Sequence, residues 1–185
     1  MKAVFLDRDG VINRNLKNDY VRKIHQFEFL PGAIEAVNLL ASAGLQPVVV
    51  SNQAGVGKGL MEARQLREID RWMKETIGLS KRLHTYYCTH APEDGCACRK
   101  PKPGLLLQAA ADLGLELSES YLVGDNITDL QAGQTAGCQT ILVLTGLGRE
   151  QLSKPALDGL DSFFVVPCLL DAVKLIICFE QRGGW

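Results

Sequence analysis

Four short stretches of this chain concentrate side chains able to do chemistry. Residues 5–13, FLDRDGVIN, set Asp7 and Asp9 two positions apart. On extended chain such residues share a face, so both carboxylates would enter one site with Arg8 turned away. Carboxylates this close repel, and either a divalent cation between them or a proton on one relieves the repulsion. An acidic surface turn is the plainer reading. Residues 48–59, VVVSNQAGVGKG, follow a β-branched run with the Ser51 hydroxyl, Asn52 and glycine-spaced backbone N–H groups. That combination suits phosphate, and it is also ordinary at the start of a helix. Residues 121–133, YLVGDNITDLQAG, place Asp125 directly after an apolar run and Asp129 four positions on. If a helix starts at Asn126, both lie on one side of its first turn, where the dipole favours negative charge.

The fourth stretch, residues 88–104, reads CTHAPEDGCACRKPKPG. Cys88, His90, Cys96 and Cys98 supply three thiols and an imidazole, a full tetrahedral set for zinc with no open position, and a closed set is structural. The spacing C-x-H-x5-C-x-C departs from that of zinc fingers. A redox pair or cysteines buried as small hydrophobes remain open on spacing alone. Cys138, Cys168 and Cys178 stand isolated among apolar neighbours and read as core.

These stretches must be held by regular structure. Apolar runs at 3–6, 46–50, 83–88, 120–124, 140–144 and 163–166 read as strands. Between them, 31–44, 62–78, 104–115, 129–137 and 167–180 read as helices, several bounded by Pro at the start and Gly at the end. Apolar strands alternating with helices predict an α/β doubly wound parallel sheet, Rossmann-like, in a single domain over 1–180 with a loose tail at 181–185. In such folds ligands bind beyond the carboxyl ends of the strands. All four chemical stretches lie there.

The chain has 185 residues, 46% of them hydrophobic, and a net charge of −1. No global field draws it to nucleic acid or to an anionic membrane, so any anionic ligand must be held locally. No stretch reads as a signal peptide or a membrane span, which predicts a reducing cytoplasmic setting where the six cysteines stay free of disulfides. A nucleic-acid module using Lys81, Arg82, Arg99, Lys100 and Lys102 would lack interleaved aromatics. A redox protein using Cys96 and Cys98 would lack the usual C-x-x-C.

Each simpler explanation covers one stretch; none covers four in this order after four strands. FLDRDG, VVVSNQ, RKPKPG and VGDNITD together resemble the haloacid dehalogenase superfamily of phosphohydrolases. DRDGVIN, SNQAGVGKG and the cysteine segment resemble, within it, the branch acting on heptose bisphosphates and histidinol phosphate. The resemblance covers about residues 3–178 and implies a phosphatase working through an aspartyl-phosphate. It implies Asp7 as nucleophile and Asp9 as acid and base. It implies Mg²⁺ on the Asp7 carboxylate, the Asp9 carbonyl and Asp125, and structural Zn²⁺ on Cys88, His90, Cys96 and Cys98. Ser51 and the Asn52 N–H would hold phosphoryl oxygens, with Lys100, or its rival Lys102, screening their charge. Asp129 would orient the lysine or the metal shell. Asn18, Asp19, Tyr20, Gln53, Ala54, Arg99 and Asn126 would contact a small phosphorylated sugar. The intervals between motifs are too short for a large cap domain, so specificity falls to the loops 13–20 and 54–59 and to the zinc loop. The implied substrate is a heptose bisphosphate cleaved at its 7-phosphate, with histidinol phosphate as the alternative, and the implied enzyme is a monomer with no nucleic-acid or membrane partner.

Overall fold

The computed structural model describes residues 1–17, 19–157 and 159–183. Asn18, and the last two residues of the expected tail, lie outside the described residues. The strands are β1 (Ala3–Leu6), β2 (Gln46–Asn52), β3 (His84–Cys88), β4 (Tyr121–Gly124), β5 (Gln139–Val143) and β6 (Phe164–Val166). They form one sheet in the order β3-β2-β1-β4-β5-β6, with each named pairing parallel. The helices are α1 (Ala33–Ser42), α2 (Ala63–Ile77), α3 (Gly104–Leu113), α4 (Ile127–Thr135), the single turn α5 (Gly148–Gln151) and α6 (Leu169–Gln181).

Alternation along the strands divides the core. Val4, Leu6, Val49 and Val123 face one side and pack with α1, α2 and α6 through Val37, Leu40, Ile69, Met73, Val173 and Ile176. Phe5, Val48, Val50 and Leu122 face the other side and pack on α3 and α4 through Leu105, Leu106, Ala109 and Ala132. Burial on both faces explains why the central strands are continuously apolar rather than alternating. Strand order reverses around β1, and the crevice at its carboxyl end, between β2 and β4, is where such a sheet binds ligands.

Local signals set the helix ends. The Glu62 N–H donates to the Gln65 side chain at 2.7 Å, opening α2, and Gly78 closes it at φ 83°. The expected boundaries shift by a residue or two: β5 begins at Gln139, and α6 runs to Gln181. The cysteine expectation is corrected in part. Cys138 is buried, but Cys168 and Cys178 are only half-buried. Cys168 sits at the amino end of α6, where its thiol donates to the Asp171 carboxylate at 3.1 Å rather than filling core.

Phe5 lies at the centre of the sheet with no exposed surface. Phe5→Ala is expected to lower unfolding free energy by about 3–5 kcal/mol in urea titrations, the transfer and cavity cost of deleting a buried ring. A loss below about 1 kcal/mol would contradict close packing there.

Candidate active site

The Asp7 N–H still donates to the Val123 carbonyl at 3.0 Å, so Asp7 leaves the sheet at its carboxyl edge. Its Oδ1 lies 2.9 Å from Lys100 Nζ. That ammonium, on a residue 3% exposed, also meets Asp129 Oδ1 at 2.6 Å and the Val50 carbonyl at 2.7 Å. All three of its protons have acceptors. Burial opposes the charge, but Asp129 and Asp7 outweigh burial and hold the Lys100 pKa above the ordinary lysine value. Asn52 pins the Lys100 backbone from both sides, its Oδ1 accepting the N–H at 3.1 Å and its Nδ2 donating to the carbonyl at 3.0 Å. Lys102 instead donates to the Gly95 and Cys96 carbonyls, at 2.6 and 2.9 Å. Lys100 is therefore the lysine of the site.

Asp125 follows β4 and its Oδ2 accepts the Leu147 N–H at 2.7 Å. Gly10, at φ 90°, presses its backbone against that carboxylate, where any side chain would collide. Asn126 caps α4, accepting from the Thr128 N–H at 3.2 Å, while Asp129 Oδ2 accepts the Asn126 N–H at 3.0 Å. Asp129 thus gives one oxygen to the helix and the other to Lys100. Carboxylate oxygens of Asp7, Asp125 and Asp129 lie within 4.8 Å of one another. This hard, all-oxygen donor set fits magnesium. Burial, and then the charges of Asp7 and Asp129, hold the Asp125 carboxyl well above the usual range. Burial likewise pushes Asp129 up to about 6, with Lys100 opposing and Asp7 adding. A bound divalent cation would offset both penalties.

Asp9 stands apart from that cluster. Its Oδ1 accepts from Asn13 at 2.9 Å and from Arg8 Nη2 at 3.1 Å; its Oδ2 accepts from Arg8 at 2.9 Å and from Gln53 Nε2 at 2.6 Å. Burial would raise its pKa, but the Arg8 charge and these donors hold it below the usual carboxylate range. The expectation that Arg8 turns away is corrected: its side chain is fully buried and folds back onto its neighbour.

The cysteine segment closes on itself. Cys88 Sγ and Cys98 Sγ each lie 3.5 Å from Cys96 Sγ, and His90 Nδ1 lies 3.8 Å from Cys88 and 3.3 Å from Cys98. A tetrahedron with arms of about 2.3 Å has edges of about 3.8 Å, so the set fits zinc. Burial and the neighbouring thiols push the Cys98 thiol up to about 12. A cation among the three sulfurs would reverse that.

A cavity of about 420 Å³ gathers most of the expected residues: Asp7, Asp9, Asp19, Tyr20, Ser51, Asn52, Arg99, Lys100, Asp125 and Asn126. Gln53 and Ala54 do not line it; Gln53 is buried beneath, holding Asp9. Arg99 Nη1 is buried with no partner among the described residues. Asn15, Thr128 and Leu147 also line the cavity; Asn15 falls in the 13–20 loop and Thr128 in the 121–133 stretch without being singled out there, and no sequence motif pointed to Leu147. Leu147 belongs to the loop after β5, whose Thr-Gly-Leu-Gly composition at the fifth strand end is the signal that could have found it. Through Asn15, Asp19, Tyr20 and Leu147 the cavity adjoins a second, of about 920 Å³, lined also by Arg14, Lys17 and Lys58. Among the described residues no helix is long and apolar enough to cross a membrane.

Comparison with known proteins agrees with this geometry. The HAD-hydrolase-like family model matches residues 97–172. The D-glycero-beta-D-manno-heptose-1,7-bisphosphate 7-phosphatase of Pseudomonas aeruginosa is 40% identical over 163 residues, covering 84% of this chain and 88% of that protein. The protein of the same name from Pasteurella multocida is 38% identical, covering 94% and 98%. The crystal structure of D,D-heptose 1,7-bisphosphate phosphatase from B. bronchiseptica, complexed with magnesium and phosphate, superimposes with a TM-score of 0.87 at 34% identity, covering 96% of this chain and 99% of that one. The chain belongs to the HAD-like hydrolases. It is a phosphatase.

Two outcomes follow from the two donor sets. Folded Asp129 holds its proton up to about pH 6, whereas in the unfolded chain an aspartate releases it near pH 4. Between those values the folded state binds more protons, so stability without magnesium falls as pH rises. Magnesium requires the ionised carboxylates, so its stabilisation, about 2.7 kcal/mol at a hundred times its Kd, is expected in full at pH 7.5 and to shrink at pH 5. Thermal midpoints with and without Mg²⁺ check this, and equal stabilisation at both values would contradict it. Cys96→Ser with Cys98→Ser is expected to abolish zinc binding by metal analysis and to lower kcat/KM roughly 100-fold, the cost of misplacing an aligned group by about 1 Å. Full activity in that variant would contradict the coupling of the loop to Arg99 and Lys100.

Proposed function

We propose that the enzyme removes the 7-phosphate of D-glycero-D-manno-heptose 1,7-bisphosphate, with Mg²⁺ as cofactor and Zn²⁺ as a structural ion, in the cytoplasm. The observation that carries the reaction is Asp7, which shares Lys100 with Asp129 and lies beside Asp125 at the floor of the cavity. A carboxylate Oδ of Asp7 attacks phosphorus, the bond from phosphorus to the sugar oxygen breaks, and Asp9 gives its proton to that oxygen. Water then attacks the aspartyl-phosphate, its proton passes to Asp9, and the Asp7 carboxylate is regenerated. The negative substrate, arriving beside Asp9, favours the protonated form that the first step requires. Asp7, Asp125 and the Asp9 carbonyl would hold Mg²⁺, with Asp129 adjoining. When bound, it supplies charge neutralisation at the phosphoryl oxygens. Ser51, the Asn52 N–H and Lys100 hold and screen those oxygens.

The substrate choice has two supports. The relatives above carry the name heptose bisphosphate phosphatase over nearly their whole lengths. The second cavity is lined by Arg14, Lys17 and Lys58 together with Tyr20, and a second phosphate there would meet charged donors. Asp19, Tyr20, Arg99 and Asn126 would meet the sugar between. The six free cysteines suit a reducing compartment and thiolate ligation.

Asp7→Asn is expected to lower kcat roughly 10⁴-fold or more, the order lost when a covalent nucleophile is removed. For the intact enzyme, kcat/KM on heptose 1,7-bisphosphate is expected to exceed that on heptose 7-phosphate by about tenfold, with Lys58→Ala erasing the difference. A higher kcat/KM on histidinol phosphate than on either would contradict the substrate assignment.

A further inference from the structure

Arg8 is a fully buried arginine between the two aspartates of the first loop. Among the described residues its side-chain hydrogen bonds run through Nη2, to both oxygens of Asp9 at 3.1 and 2.9 Å and to Gln53 Oε1 at 3.0 Å. Its Nε and Nη1 are buried without a partner among the described residues. The guanidinium carbon lies 5.8 Å from the ring centroid of Phe27 and 5.9 Å from that of Tyr87. Tyr87 is anchored in turn, its hydroxyl donating to Asp70 at 2.8 Å, and Asp70 pairs with Lys74 along α2. Burying a guanidinium with two of its nitrogens, and so three of its five N–H groups, unpaired is costly, and an apolar side chain of similar volume is often the more stable occupant. Stability alone therefore gives no reason for an arginine here.

Gln53 completes the arrangement. Its Nε2 donates to Asp9 Oδ2 at 2.6 Å and to Ser51 Oγ at 3.2 Å. Because Ser51 Oγ accepts from Gln53, its own proton is free to point into the cavity. Asn13 fixes the other oxygen of Asp9. The carboxyl is thus gripped at both oxygens and cannot turn about its Cβ–Cγ bond without losing donors.

We infer that Arg8 and Gln53 are positioning residues that act through Asp9, fixing the plane of its carboxyl so that the proton, which takes the lone pair one of these donors gives up when Asp9 is protonated, is aimed at the leaving group. Phe27 and Tyr87 pack against the guanidinium, the guanidinium and Gln53 set Oδ2, and Gln53 ties that setting to the phosphate-binding hydroxyl of Ser51. The inference rests on the proposed role of Asp9 as acid and base. In the step concerned the ester P–O bond breaks as the Asp9 proton passes to the departing oxygen. A sugar alkoxide needs that proton; a nitrophenolate leaves without it.

The test is kcat/KM at saturating Mg²⁺ for p-nitrophenyl phosphate and for a sugar phosphate, in the wild type, Asp9→Asn, Arg8→Met and Gln53→Met. This parameter covers the steps through ester cleavage. The ratio of sugar phosphate to nitrophenyl phosphate is expected to fall roughly 10- to 100-fold in Arg8→Met and in Gln53→Met. It is expected to fall further in Asp9→Asn, within the range of about 10²–10⁴ that proton transfer contributes. If Arg8→Met does not fold, Gln53→Met decides alone. Discrimination in Asp9→Asn, with an unchanged ratio in the folded positioning variants, would overturn the inference and leave the role of Asp9 standing. An unchanged ratio in Asp9→Asn itself would overturn both.

Discussion

One ammonium buried among carboxylates governs the carboxyl edge of this sheet. Asp7 and Asp129 together hold Lys100 charged there, and removing the lysine would leave two buried carboxylates without their counter-charge at a cost of about 3–5 kcal/mol. The pair also fixes geometry. Asp7 comes from the end of β1, Asp129 from the first turn of α4 and Lys100 from the loop beyond β3, so one cation joins three separated segments at the point where strand order reverses. Asp7, Asp9, Asp125 and Asp129 stand against Arg8 and Lys100. Fully ionised, they leave an excess of two negative charges, which one divalent cation cancels. Without that cation, burial, and after it the neighbouring carboxylates, keep the pKa values of Asp125 and Asp129 raised.

The same economy of connection links the two metal-type donor sets. The last thiol of the cysteine cluster, Cys98, is followed directly by Arg99 and Lys100. Asn52 grips the Lys100 backbone from β2, the Gln53 N–H donates to the Cys88 carbonyl at 2.7 Å and the Gly57 N–H to the Thr89 carbonyl at 2.8 Å. A loop otherwise free to move over the surface is thereby held to the strand that carries Ser51. Chemistry needing sub-ångström alignment can be built on loops here because those loops are tied to strands and to each other.

Much of this was legible in the sequence because period and punctuation carry it. Buried β-branched runs separated by Gly- and Pro-bounded amphipathic segments yield a parallel sheet, and ligand chemistry collects at its strand ends. Asp7 and Asp125 could be picked out because each directly follows a strand, Asn126 because it opens α4, Ser51 because it ends the apolar run of β2, and Lys100 because it stands in the Lys-Pro-Lys-Pro stretch just past the cysteines. What escaped is governed by side-chain direction. Arg8 lies between two acids and would project outward from an ideal strand, but the chain turns at Gly10 and the guanidinium folds back under Asp9. Gln53 sits in a phosphate-type loop and reads as a substrate contact, whereas its amide faces inward. Neither periodicity nor spacing encodes such orientation. Leu147 acts through its backbone N–H, which no residue type announces, and Cys168 is drawn out of the core by the helix end it occupies.

The most direct test of the account is covalent. Acid quench of the wild-type enzyme during turnover, followed by peptide mass spectrometry, should find one phosphoryl group on the peptide carrying Asp7, in an acyl linkage that hydroxylamine cleaves. This adduct is expected to form and decay at rates consistent with turnover. Turnover with no adduct on Asp7, or with phosphate carried elsewhere, would contradict it.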